Sequence, residues 1–289
     1  MSLRFGVLGH PVAHSLSPAM HTAAFSELRI DATYERFDVA PTNLGAFMQR
    51  VRTENIAGLS VTIPHKVAIM EYLDEIKEDA QKVGAVNTVF WEREKLVGSN
   101  TDWIGILMAL EAKLSGKSTF HGTYEALVNA KESLIGKKII ILGGAGGAAR
   151  AAVAAVSNEA KEVTVLARDL KNLNVYKNSI KRGLLSELGE YDCDILINTT
   201  PVGMKGKSEN ESPVPAEYFK NHQPLVFDII YTPKETKLLR DAREAGCAML
   251  NGVEMFVWQG VWQQSIWGKN QEVSSEMMKK MREAVLEAL

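Results

Sequence analysis

Short apolar runs alternate with amphipathic stretches along most of the chain, an order that predicts parallel sheets covered by helices. In the first third, strands are expected near 3–8, 33–39, 57–62 and 86–91, and helical periodicity occupies 18–28, 42–54 and 65–83. Ser17-Pro18 reads as a helix start, because a serine hydroxyl can cap free amides and proline is tolerated in the first turn. A further helix is expected to begin near Trp103. The polar stretch SGKSTFHGTYEALVNAKESLIGKK follows it, rich in Gly, Ser and Lys, and places a junction at 111–133 after a first domain at 1–110.

The second region opens with KKIIILG, a continuous apolar run of the kind buried on both faces of a sheet. GGAGGAAR leads from it into AAVAAVSNEA, and EVTVLARD supplies the next strand, so this segment reads as one βαβ unit. CDILINTT and PLVFDIIY fit further strands, and KETKLLRDAREAG fits a helix. EMFVWQGVWQQSIWGK and SSEMMKKMREAVLEAL read as two helices, the second with apolar residues at 277, 278, 281, 285 and 289. The expected fold class is α/β in two domains, the second a Rossmann-like dinucleotide-binding domain over 134–252.

With 289 residues, 46% of them hydrophobic and 24% charged, the chain has enough apolar side chains for two ordinary cores. A net charge of -2 provides no field for nucleic acid, and the basic cluster Lys279, Lys280, Arg282 is broken by Met281 and followed by acids, as on a solvated helix face. No run reaches the roughly 18 apolar residues needed to cross a bilayer, and MSLRFGVLGH lacks the pattern of a signal peptide. Cys193 and Cys247 fall in segments expected to be buried, with no metal-ligand spacing, and reduced packed cysteines fit a cytoplasmic protein. The partner expected is therefore a small molecule, with no nucleic acid, membrane or metal; a homodimer stays open.

A diphosphate binds best to free backbone amides at a helix N-terminus, where side chains would block its approach. Gly144, Ala145, Gly146, Gly147 and Ala148 supply such a turn between the first strand of the βαβ unit and its helix, pointing to a nicotinamide dinucleotide. The end of the next strand, Ala167, Arg168 and Asp169, meets the adenosine ribose. An arginine there pairs with the 2'-phosphate of NADP, whereas an acid suits NAD. The two neighbours conflict; the arginine favours NADP and NAD remains open.

Four segments ahead of residue 105 carry more polar residues than strand ends require: GHPVAHSLSP, LSVTIPHK, GAVNT and GSNTDWIG. Clustered at the carboxyl ends of strands, they suit a ligand bearing several hydroxyls. In this order, ahead of GGAGGAAR and followed by NTTPVGM, DIIYTPKET and NGVEMFVWQG, they closely resemble the shikimate dehydrogenase family over nearly the whole chain. The resemblance implies reversible NADP-linked reduction of 3-dehydroshikimate to shikimate, a step toward aromatic amino acids. It implies that Ser15 and Ser17 hold the substrate carboxylate and that Thr62, Asn87, Tyr231 and Gln259 meet its hydroxyls or ring. Lys66 and Asp102 would handle the proton as a coupled pair, and Ile229 and Gly252 would lie beside the nicotinamide. The family also implies that the last two helices, 253–289, complete the first domain.

Three departures from the family pattern stand out. Ser60 occupies a position usually held by asparagine, which would remove a substrate contact. Ala167 and Asp169 replace a common asparagine and threonine. The stretch from about Ser115 to Ser133 is longer than usual, with no role assigned. Two alternatives are weighed: a quinate/shikimate dehydrogenase using NAD or both cofactors, and a catalytically silent ligand-sensing regulator. The presence of both Lys66 and Asp102 argues against the regulator.

Overall fold

Residues 2–116, 132–268 and 274–289 are described in the computed structural model. Most of the expected junction thus lies outside the described residues. Among those described, one compact unit comprises the residues up to Asp102 together with Val257–Ala288, and the other those from Trp103 to Phe256.

The first unit is built on β1 (Leu3–Gly9), β2 (Ala32–Asp38), β3 (Ile56–Val61), β4 (Glu75–Ile76), β5 (Thr88–Glu92) and β6 (Lys95–Ser99) in the order β2-β1-β3-β5-β6-β4. The expectation of parallel sheets fails here: β1 runs parallel to β2 and β3, but β5 is antiparallel to both β3 and β6. The β5–β6 hairpin turns on Arg93 and Glu94, at φ 54 and 57, so a two-residue loop forms without the Asn-Gly pair that usually announces one. The continuous helix expected at 65–83 is also absent. A 3₁₀ turn at Ala68–Tyr72, the edge strand β4 and a short helix (α3, Glu78–Val83) replace it, because Asp74 and Lys77 pair their amides with β6 carbonyls.

Two further helices, α1 (Ser17–Glu27) and α2 (Leu44–Thr53), cover this sheet's unit, and α2 inserts Phe47, Met48 and Val51 into a core with Leu8, Leu59, Ile69 and Leu96. Each such burial contributes about 1.5–3 kcal/mol relative to exposure. Ser17 is not a cap. The helix starts on Ser17 itself with Leu16 preceding it, and the Ser17 hydroxyl accepts instead from Ser15.

The second unit contains β7 (Lys138–Leu142), β8 (Glu162–Ala167), β9 (Lys181–Leu184), β10 (Ile195–Asn198), β11 (Leu225–Asp228) and β12 (Met249–Leu250), all parallel, in the order β12-β11-β10-β7-β8-β9. Counted from β7 this is the doubly wound order 3-2-1-4-5-6, whose topological switch lies between β7 and β10. Between β7 and β8 runs α5 (Gly147–Val156), with Ala151, Ala152 and Ala155 buried, following α4 (Asp102–Ser115) in the chain. The β8–β9 crossover contains only a 3₁₀ turn, Leu173–Val175. The short β9 and β12, and α6 (Ala216–Asn221), are not foreshadowed by periodicity, being too brief to display one.

Later in the chain, Thr236 caps α7 (Lys237–Glu244) by accepting from the Leu239 amide, and Cys193 and Cys247 are free and buried. In the first unit, α8 (Gly252–Trp267) continues past Phe256 and is followed by α9 (Ser275–Ala288). Gly260 on α8 lies so close to Met20 on α1 and Met281 on α9 that a side chain there would overlap Met20. Met277, Met278, Met281 and Val285 are buried as expected, but Leu289 is 40% exposed because the helix ends before it.

Candidate active site

In the first unit the polar residues converge at the carboxyl ends of β1 and β3. The loop after β3 is tied down by its backbone: the Thr62 amide donates to the Leu8 carbonyl and the Val86 amide to the Lys66 carbonyl. The buried His65 ring also bonds the Val39 carbonyl at 2.7 Å. Lys66 is thereby aimed at the first residue of α4, and its Nζ donates to Asp102 Oδ2 at 2.6 Å. Their side chains are 16% and 5% exposed, respectively. A buried ion pair needs further hydrogen bonds to offset desolvation. Asn87 provides one, donating from Nδ2 to Asp102 Oδ1 at 2.9 Å, while the Asp102 amide donates to Asn100 Oδ1.

Asn87 is itself saturated. Its Nδ2 also reaches Thr101 Oγ1 at 3.0 Å and Gln259 Oε1 at 3.4 Å, and its Oδ1 accepts from the Thr88 hydroxyl and the Thr101 amide, each at 2.7 Å. Gln263, one helical turn beyond Gln259, donates to the Asn87 carbonyl and to Thr88 Oγ1 at 3.1 Å each. Gln263 in turn accepts from Ser60 at 2.6 Å, and Ser60 accepts from Tyr34 at 2.6 Å. Ser60, the departure from the family pattern, is therefore committed to a chain linking β2, β3 and α8. Neither Tyr34 nor Gln263 was singled out in the sequence, although Gln263 shares a helix face with Gln259.

Ser15 and Ser17 sit together, the Ser15 hydroxyl donating to Ser17 Oγ at 3.1 Å, and Arg36 donates to the Ser15 carbonyl at 2.9 Å. One turn along α1 the fully buried His21 stacks on Tyr34 at 4.5 Å between ring centres, and burial holds its imidazole well below the usual range, at about 3.

The second unit carries the remaining candidates. At the glycine turn, a Cβ on Gly144 or Gly146 would meet nothing, so this side of the backbone is open. The Gly144 carbonyl accepts from the Tyr176 phenol and the Ala145 carbonyl from Arg150 Nε, each at 2.7 Å. A cavity of about 520 Å³ beside the turn is lined by Ala145, Gly146, Arg150, Lys171, Asn172 and Asn174. Ala167 is buried, Arg168 and Asp169 are exposed, and the Asp169 carboxylate accepts from the Lys171 amide at 3.1 Å. At the end of β11, a side chain at Gly252 would overlap the Ile229 carbonyl, so the two segments touch through backbone. Tyr231 stacks on Phe256 at 4.4 Å, and burial pushes its phenol up to about 12.

The loop that holds Ile229 and Tyr231 is anchored by Asp228, which is fully buried. It accepts from Asn198 at 3.0 Å, the Ile230 amide at 3.2 Å and the Thr236 hydroxyl at 2.6 Å, and burial pushes its carboxyl up to about 6. Among the described residues no group of three or more His, Cys, Asp or Glu could hold a metal, and no helix is long and apolar enough to cross a membrane.

A family model described as the shikimate dehydrogenase substrate binding domain matches residues 7–89. Shikimate dehydrogenase (NADP(+)) of Methanococcus maripaludis (strain C6) is 41% identical over 277 residues, covering 93% of this chain and 92% of that protein. Its counterpart from Maridesulfovibrio salexigens is 36% identical, covering 99% and 97%. Among solved structures, shikimate 5-dehydrogenase of Thermus thermophilus in complex with NADP(H) and shikimate aligns with a TM-score of 0.82 and 34% identity, covering 99% of this chain and all of that one.

Proposed function

The chain belongs to the shikimate dehydrogenase family, and we propose that it acts in the cytoplasm as an NADP-dependent shikimate dehydrogenase, reducing 3-dehydroshikimate reversibly to shikimate. The observation that carries the mechanism is the 2.6 Å contact between Lys66 and a carboxylate held in place by Asn87.

Reduction of a ketone leaves negative charge on its oxygen, and a proton donor within hydrogen-bond reach removes that charge as it develops. Lys66 supplies the proton from Nζ and recovers it in the reverse direction. Asp102 orients the ammonium and keeps it from rotating away. Asn87 holds Asp102, and since its two Nδ2 hydrogens serve Asp102 and Thr101, it donates to substrate only by giving up Thr101. Ser15 and Ser17 donate their hydroxyls to the substrate carboxylate, a charge-assisted contact. Thr62 and Gln259 read the ring hydroxyls.

NADPH, when bound, supplies the hydride. The residues present fit such a dinucleotide: the open backbone at Gly144 and Gly146 suits the diphosphate, and the exposed Arg168 suits the 2'-phosphate. Asp169 spends one carboxylate oxygen on the Lys171 amide, which weakens its claim on a free ribose and the case for NAD.

The test is a steady-state assay of purified protein with shikimate or quinate and with NADP or NAD, followed by the absorbance of the reduced nicotinamide. Shikimate with NADP is expected to give the highest kcat/KM. Absence of turnover of shikimate with either cofactor would overturn the proposal.

A further inference from the structure

We infer that Tyr176 is a positioning residue that, together with Arg150, aims the amides of the glycine turn at the dinucleotide's diphosphate; the inference rests on reading that turn as the dinucleotide site. A trans peptide is planar, with its carbonyl and its following amide pointing in opposite directions. Fixing the carbonyl therefore fixes where the next amide points. The Tyr176 phenol on the Gly144 carbonyl orients the Ala145 amide, and Arg150 Nε on the Ala145 carbonyl orients the Gly146 amide. Neither amide has a protein partner among the described residues, and a side chain on the flanking Gly144 or on Gly146 would meet nothing.

The tethers matter because glycine holds this stretch loosely. Each tethered peptide joins Ala145 to a glycine, and glycine occupies both halves of φ space readily, so only the alanine end resists a turn of the peptide. A turned peptide would present its carbonyl oxygen to an anion and repel it. Tyr176 is well suited to prevent this. It is 7% exposed, its own carbonyl accepts from Arg182 at 2.5 Å, and its amide donates to Leu173. Burial also pushes its phenol up to about 12, so it remains a donor at neutral pH. The residue occupies the β8–β9 crossover, where a short 3₁₀ turn takes the place of a full helix and brings the ring back to the turn.

Tyr176→Phe removes the donor and keeps the ring. Equilibrium binding of NADP, NAD and adenosine 2'-monophosphate, measured by calorimetry on wild type and variant, tests the inference. The last ligand carries the adenosine 2'-phosphate but no diphosphate. Loss of one neutral hydrogen bond is expected to weaken NADP and NAD equally, by about threefold to tenfold. Binding of adenosine 2'-monophosphate should stay within about twofold, and the thermal midpoint should show that the variant is folded. Unchanged affinity for both dinucleotides would overturn the inference. So would a loss shared by adenosine 2'-monophosphate, which would assign Tyr176 to the adenosine end, or a loss confined to NADP. Wild-type protein that binds neither dinucleotide would instead refute the reading of the turn itself.

Discussion

The two proposed ligand sites are built in opposite ways. In the first unit the candidate side chains are already bonded to one another: Lys66 to Asp102, Asp102 to Asn87, Asn87 to Thr101. In the second the candidate groups are the backbone amides of Ala145 and Gly146, which have no protein partners among the described residues, while the side chains nearby, Tyr176 and Arg150, hold the carbonyls. The difference follows from the chemistry proposed. Proton transfer needs a donor held in one geometry throughout the reaction, and a closed network supplies that. A diphosphate needs several donors at once in a shallow space, which only a backbone free of side chains can provide.

The sharpest test of this contrast is Lys66→Ala. It should lower kcat by about 10² to 10⁴, the usual contribution of a general acid-base group, with little change in KM. A variant retaining more than a tenth of wild-type turnover would show that the closed network is scaffolding only.

Stability should also respond to pH with opposite signs in the two units. His21 in the first is held neutral, with its value lowered from 6.5 to about 3, so its contribution is complete above pH 6.5 and is lost as pH falls toward 3. Asp228 in the second is raised from 3.8 to about 6, so its contribution is complete below about pH 3.8 and is lost as pH rises through 6. At about 1.36 kcal/mol per unit, each amounts to a few kcal/mol. Urea unfolding from pH 3 to 7 checks both signs. Fluorescence of Trp267, packed 5.0 Å from His21, reports the first unit. Asp228→Asn should remove the decline between pH 4 and 6, and an unchanged slope would refute the assignment.

Ser15→Ala and Ser17→Ala should each raise the KM for shikimate by an amount corresponding to about 1.5–3 kcal/mol, the range for hydrogen bonds to charged groups, and leave dinucleotide affinity alone. Equal effects on both ligands would blur the division of labour between the units. A smaller effect is expected of Arg168→Ala, because the side chain is exposed and screened by salt. NADP affinity should fall about tenfold, roughly 1.4 kcal/mol, with NAD affinity unchanged. Losses shared by both cofactors would place Arg168 on the adenine or in the fold.

The sequence was most legible where one local rule acted alone. The run from Lys138 through the alanine-rich helix to Ala167 combined an apolar strand, a glycine turn and a second strand, and it forms β7, α5 and β8. It was least legible where distant partners decided the outcome. β6 exists because it pairs with β5, and β4 because it pairs with β6, while Arg93 and Glu94 give no glycine signal for the turn. The same holds at the candidate site. Ordered motifs singled out Lys66, Asp102 and Asn87, but Tyr34, Gln263 and Tyr176 lie in segments with no motif and act through hydrogen bonds spanning up to 203 residues. Ser60 shows the limit of position alone: its hydroxyl, read as a missing contact, is engaged on both sides.

The interlocked methionines at Gly260 bear on how the protein is made. The first unit starts with β1 but is finished by the part of α8 beyond Phe256 and by α9, and Met20 lacks its Met281 neighbour until α9 has been synthesised. The strands and helices of the second unit are translated in between. At about 5–20 residues per second, the ribosome needs roughly 10 to 40 s to pass from Asp102 to the end of α9. Throughout that interval α1 lacks the helix that packs on it in the folded chain, so the unit translated first is the one completed last.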